Sequence, residues 1–196
     1  NRIRPIALGR SNWLFTGSNL RDVFFAKYDA NGNFNWAKSI HTQNNYLYNG
    51  CGLYIDKLNN LYVVGSCNDS VDFDPGLGVD FLFGDYYTTG PYIAKYDSNG
   101  DYIWARHLAE LPRSFNIDAN QNIILAGSFE VNTSYNIDTT IYFVDGTAIY
   151  YTMMGSNMWD GPNSYIAKLD SLGKYVWFNY FESGDNNEVN SVVLDN

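Results

Sequence analysis

Histidine, cysteine and basic residues are scarce in this chain. The two histidines, His41 and His107, have no second histidine at metal-ligand spacing and no nucleophile beside them. That argues against a histidine-based metal centre or a hydrolytic triad, and both read as polar residues at strand ends. Twelve Lys and Arg face 21 Asp and Glu, for a net charge of -9. Such a surface repels a phosphate backbone, so no nucleic-acid partner is expected. No apolar run approaches the roughly 18 residues of a membrane span, so no membrane insertion is expected. No signal peptide is recognisable. The first residue is Asn1 rather than Met, so that absence does not assign a compartment. Long amphipathic helical stretches are lacking as well.

Aromatic residues are abundant instead. The 196 residues include 17 Tyr, 12 Phe and 5 Trp, types that favour strands. Asn, Asp, Gly and Ser supply turns between them.

One thirteen-residue motif occurs three times, at 24–36, 92–104 and 165–177, and its lysines Lys27, Lys95 and Lys168 recur 68 and then 73 positions apart. Each copy runs an apolar strand into Asp-x-x-Gly and places Trp at a fixed offset: Trp36, Trp104 or Trp177. Asp opens such a turn by binding backbone ahead of it, and Gly tolerates the left-handed conformation that closes it. A second hairpin alternates with the first, at 54–66 and 116–128, with a weaker copy ending at Leu14–Ser18 and the opening of another in Val192–Asn196.

Two hairpins per repeat give four antiparallel strands. The expected fold is all-β, a β-propeller fragment of about three blades at residues 3–40, 51–108 and 114–181, with 189–196 starting a fourth. A lone blade leaves two apolar faces open, and closed propellers use about four to eight blades. The remaining blades of a longer chain, or further copies, are therefore expected partners. A β-sandwich is the alternative architecture, and the fixed Trp offset argues against it.

The alternation of Ala-Lys-Tyr-Asp-x-x-Gly-x-x-x-Trp with Asp-x-x-x-Asn-x-Tyr/Ile-Val/Leu-x-Gly-Ser resembles the SBBP-type bacterial β-propeller repeat. Val71–Gly76 resembles that family as it occurs in Bacteroidetes. The resemblance implies large secreted or cell-surface proteins whose propellers bind or space other domains, many exported by the type IX route. No sorting domain is present in this sequence, and no catalytic residues carry over. Asp69–Val71, Asp138–Thr140 and Asp170–Leu172 resemble the O-glycosylation pattern of such exported proteins. The sialidase Asp-box has a different spacing, Asp-x-Gly-x-x-Trp, and its activity does not carry over.

The recurring Trp reads as blade packing. Lys27 with Asp29, Lys95 with Asp97 and Lys168 with Asp170 sit two apart on a strand, on one face, and could form ion pairs near the turn; a ring of binding lysines is the functional reading. Asp72, Asp74 and Asp80 lie in a Gly-Pro stretch and offer oxygen ligands for calcium. The plainer reading is an edge strand with Val71 and Phe73 inward and the aspartates outward. A turn centred on Asn59 places Cys51 opposite Cys67, where a cross-strand disulfide is geometrically allowed; a one-residue change of register removes it.

The most plausible functional surface is formed by the two long insertions, Gly65 to Tyr92 and Gly127 to Tyr165. The first carries Tyr86 and Tyr87; the second carries Tyr150, Tyr151, Met153, Met154, Met158 and Trp159. Aromatic and Met side chains on scaffolded loops suit contacts with a partner, and they equally suit packing of an enlarged blade. The leading reading is a non-catalytic binding or scaffold module of a secreted or cell-surface protein, with a protein or glycan partner. The rival is a propeller glycoside hydrolase, which needs a converging pair of carboxyl groups that no motif here marks.

Overall fold

The computed structural model describes residues 4–11, 22–42, 47–67, 70–83, 90–129, 139–140, 152–153, 163–181 and 188–194. They form fifteen strands and, among the described residues, no helix. The chain divides into two compact units, Asn1–His107 and Leu108–Asn196.

In the first unit, β1 (Arg4–Ser11), β2 (Asp22–Tyr28) and β3 (Phe34–Thr42) form one antiparallel sheet. β4 (Leu47–Ile55), β5 (Leu61–Cys67), β8 (Gly90–Tyr96) and β9 (Tyr102–His107) form a second. The short β6 (Ser70–Asp72) and β7 (Phe81–Phe83) leave the second sheet's connection and join the edge of the first, giving the order β1-β2-β3-β6-β7. In the second unit, β10 (Pro112–Ile117), β11 (Ile123–Phe129), β14 (Asn163–Leu169) and β15 (Tyr175–Phe181) repeat the four-stranded meander. Between them β12 (Thr139–Thr140) pairs with β13 (Thr152–Met153).

Five hairpins close by one turn. In each, Asp Oδ1 accepts the N–H groups two and four residues on: Asp29 from Asn31 and Asn33, Asp56 from Leu58 and Asn60, Asp97 from Asn99 and Asp101, Asp118 from Asn120 and Asn122, Asp170 from Leu172 and Lys174. The fourth turn residue takes positive φ. It is Gly32, Gly100 or Gly173 in the Lys-Asp hairpins, but Asn59 (67°) and Gln121 (66°) in the alternating ones. This is the three-residue hairpin loop ending in a left-handed residue.

The Lys-Asp hairpins carry one further irregularity. Register shifts fall between Lys27 and Tyr28, Lys95 and Tyr96, and Lys168 and Leu169, so Asn35, Ile103 and Val176 have no cross-strand partner. These extra residues bulge outward; Ile103 and Val176 are 45% and 55% exposed. The bulge resets the alternation and sets Trp36 opposite Lys27, Trp104 opposite Lys95 and Trp177 opposite Lys168. That is the physical origin of the fixed Trp offset.

Within the first unit the two blade-like sheets pack face to face. Val23, Phe25 and Ile40 meet Leu61, Val63, Tyr92, Ala94, Tyr96 and Ala105 in one buried cluster. The Phe25 and Tyr96 rings lie 4.6 Å apart. A fully buried aromatic or aliphatic side chain contributes roughly 1.5–3 kcal/mol. β5 is buried along its whole length, which is why it reads as a nearly continuous apolar run rather than an alternating one. In the second unit Phe115, Leu125, Ala167 and Phe178 stand side by side across the four strands, with Phe178 stacked on Tyr165 at 5.3 Å.

Three expectations change. The strand paired to β2 is Arg4–Ser11; Leu14–Ser18 lies outside the described residues. The first sheet therefore has three strands of its own among the described residues, and β6 supplies its next edge through His41–Asp72 and Thr42–Val71 pairing. Residues 188–194 form no strand, and no ladder partner stands beside them among the described residues. They are tied by Val192 N–H to Ser114 Oγ at 2.9 Å and by Glu188 to Arg113 at 2.8 Å.

Candidate functional site

The motif residues act between neighbouring sheets. Lys27 Nζ donates to the Ser98 carbonyl at 2.8 Å, and Lys38 Nζ lies 3.4 Å from Asp101 Oδ1. Between these contacts the Trp36 ring covers Gly100, where a Cβ would stand 2.8 Å from Cη2. One sheet thus clasps the Asp-x-x-Gly turn of the next. Gly100 is needed twice, for its φ of 79° and for the ring upon it. The exposed ion pair adds little by itself, about 0–1 kcal/mol.

The lysines do not pair with the aspartate two residues on. Lys168 lies 3.4 Å from Asp118 Oδ2, on the adjacent hairpin. Lys95 is 7% exposed and sits 5.0 Å over the Tyr62 ring. Tyr62 donates its hydroxyl proton to Asp56 Oδ2 at 3.3 Å. The reason is cross-strand registry: Lys95 stands opposite both Tyr62 and Trp104, so its side chain runs across the sheet rather than along its own strand. Burial pushes the Lys95 ammonium below its ordinary pKa, with Asp56 pulling the other way. Burial, then the Asp56 charge, raises the Tyr62 phenol.

The first insertion is built into the scaffold. Val71 and Phe73 are fully buried, and Phe73 packs 4.6 Å from the Tyr92 ring. Tyr96 donates its hydroxyl to the Phe73 carbonyl at 2.9 Å, and Tyr102 donates to Asp80 Oδ2 at 2.5 Å. Asp72 Oδ1 accepts the N–H groups of Asp74 and Asp80, and Asp74 Oδ1 accepts that of Gly76. The aspartates proposed as calcium ligands thus brace a turn. Among the described residues no group of three or more His, Cys, Asp or Glu is arranged to hold a metal ion. The braced turn presents Leu77 and Val79, which are 107% and 67% exposed.

Cys67 does not face Cys51. Two register shifts in the β4–β5 pair, around Gly50, set Cys67 opposite Leu47. The turn is also centred one residue earlier than the sequence suggested, since Ile55 pairs with Leu61. Cys67 is a buried thiol whose Sγ lies 3.6 Å from the Gly90 carbonyl. The geometric basis for the disulfide is therefore gone.

Tyr86, Tyr87, Tyr150, Tyr151, Met154, Met158 and Trp159 lie outside the described residues, and Met153 is described only as the backbone partner of Thr139. Sequence reasoning passed over Leu77 and Val79; the signal was two branched apolar residues within a Pro-Gly-x-Gly turn.

The displaced carboxylates are turn acceptors. Hydrogen bonds from the Asn33 side chain and backbone hold Asp29 low. Asp118 resists burial, which raises it, and is held low by Asn122, Asn120 and Lys168. A general acid for glycoside cleavage is shifted the other way.

No family model matches the chain. It is similar to an uncharacterized WD repeat-containing protein of Acanthamoeba polyphaga mimivirus, 26% identical over 174 residues. The match covers 83% of this chain and 12% of that much longer protein. WD repeats are four-stranded propeller repeats. The all-β fold of meandering four-stranded sheets is of that propeller type, and the comparison does not extend to the SBBP family or to Bacteroidetes.

Proposed function

We propose that this chain is a non-catalytic, propeller-type interaction module that grips a protein partner through the tip of its first insertion. The observation that carries this reading is the pairing of a rigid base with an apolar tip. Asp72, Asp74 and buried Phe73 fix the turn, while Leu77 and Val79 stand in solvent. A backbone already fixed loses little entropy on binding, which favours a contact role for the side chains it carries. The WD-repeat likeness supports the same class of function. A secreted or surface setting rests on the sequence resemblance alone, and a glycan is the alternative ligand.

A photo-crosslinking residue at Leu77, in cells that make the protein, tests this. The reading expects adducts to a discrete protein. Purified, that protein binds the chain, and Leu77→Ser with Val79→Ser abolishes binding without lowering the melting temperature. The same adducts from a crosslinker at exposed Lys57, or unchanged binding by the double variant, would contradict it.

A further inference from the structure

The tip of the first insertion carries charge of one sign only. Between Lys57 and Lys95 the chain has no Lys, Arg or His, and its charged residues there are Asp69, Asp72, Asp74, Asp80 and Asp85. Three of them are placed against the tip. The Asp74 carboxylate lies inside the turn that carries Leu77: its Oδ1 accepts the Gly76 N–H at 2.7 Å, and a Cβ at Gly78 would strike its Oδ2. Asp72 Oδ1 accepts the Asp80 N–H at 3.0 Å, which closes the turn behind Val79. Asp80 adjoins Val79, is exposed, and is held through Oδ2 by the Tyr102 hydroxyl. Two apolar side chains thus stand in solvent with carboxylates fixed at their base.

Those carboxylates restrict what can cover the tip. Burying Leu77 and Val79 against any surface brings Asp74 and Asp80 to its margin, where like charge is penalised and opposite charge steers and orients the encounter. A lipid or other surface rich in phosphate is repelled on the same ground. A second copy of the chain is a poor occupant too. Its net charge is -9, and Lys27, Lys38, Arg113 and Lys168 are already bonded within it.

We propose that the Leu77–Val79 tip inserts into an apolar pocket of a different protein, rimmed by Lys and Arg that pair with Asp74 and Asp80. This rests on the interaction reading above and adds the chemistry of the partner.

A photo-crosslinking residue at Val79, in extract of cells that make the protein, tests it. Adducts are formed at about 0.1 M and about 1 M salt, where the Debye length falls from roughly 10 to 3 Å, and the crosslinked partner peptide is sequenced. That peptide should hold more Lys and Arg than Asp and Glu, and the adduct should fall at least about threefold at the higher salt. Asp80→Asn keeps an acceptor for Tyr102, so it should melt with the parent. It should lower the adduct about two- to fivefold, at the lower salt only. No adduct at either salt would overturn the interaction reading and this proposal together. An adduct whose partner peptide lacks the basic excess, or one indifferent to both salt and Asp80→Asn, would overturn this proposal and leave the interaction reading standing. Adducts to a second copy of the chain, or flotation of the purified protein with phosphatidylserine vesicles, would also overturn it.

Discussion

The Trp36 indole lies directly against Gly100. A Cβ at Gly100 would stand 2.8 Å from Cη2 and 2.9 Å from Cζ3 of the ring, with Lys38 Cγ at 3.1 Å. Gly32 occupies the same turn position with a similar φ and no neighbour within 4 Å. The pair separates conformational from packing demand. Gly32→Ala should cost about 1–2 kcal/mol, the left-handed term alone. Gly100→Ala should cost about 1–3 kcal/mol more, from overpacking. Urea denaturation of both variants checks this, and equal losses would contradict the packing role.

The first insertion should divide sharply into support and tip. Phe73 is fully buried, so Phe73→Ala should destabilise by about 3–5 kcal/mol. Leu77 is fully exposed, so Leu77→Ser should stay within about 0.5 kcal/mol of the parent. Thermal melts read both.

Acid should weaken the second unit through Asp118. Its folded pKa lies below the ordinary aspartate value. The folded state therefore holds its proton less tightly than the unfolded chain, and the stabilisation is fully present above the unfolded pKa. It is lost as pH falls through the folded pKa. Asp118→Asn should flatten stability in that acid window and leave the slope near neutrality unchanged. A variant with the parent's acid slope would remove Asp118 from the account.

Calcium is tested by a chelator. Asp72 and Asp74 spend carboxylate oxygens on backbone N–H groups, so a melt with excess chelator should match one with added calcium. A fall of several degrees on chelation would show that a cation holds the turn.

Much of the blade architecture was legible because the hairpin is local. Asp29, Gly32 and Trp36 announce turn, left-handed residue and packing ring within eight positions. What was hidden depends on register. The bulges at Asn35, Ile103 and Val176 leave no mark in composition, yet they set each motif Trp opposite its Lys. Lys95 reaches the Tyr62 ring rather than Asp97 because the β5–β8 pairing sets it opposite Tyr62. The shifts around Gly50 likewise separate Cys51 from Cys67. Asp56 and Asp118 make the same turn as Asp29, but Asn59 and Gln121 replace the signalling glycine. That β6 would join the neighbouring sheet follows from long-range pairing of His41 with Asp72, which no short motif encodes.

A double-mutant cycle on Trp36 and Gly100 tests the central claim, that the first sheet is fastened to the second by a tryptophan laid on its Asp97–Asp101 turn. In the Trp36→Ala background the ring is gone, so Gly100→Ala should cost only what Gly32→Ala costs in the parent. The coupling should exceed about 1 kcal/mol, as for residues in contact. Additive losses, with Gly100→Ala equally costly in both backgrounds, would contradict the clasp.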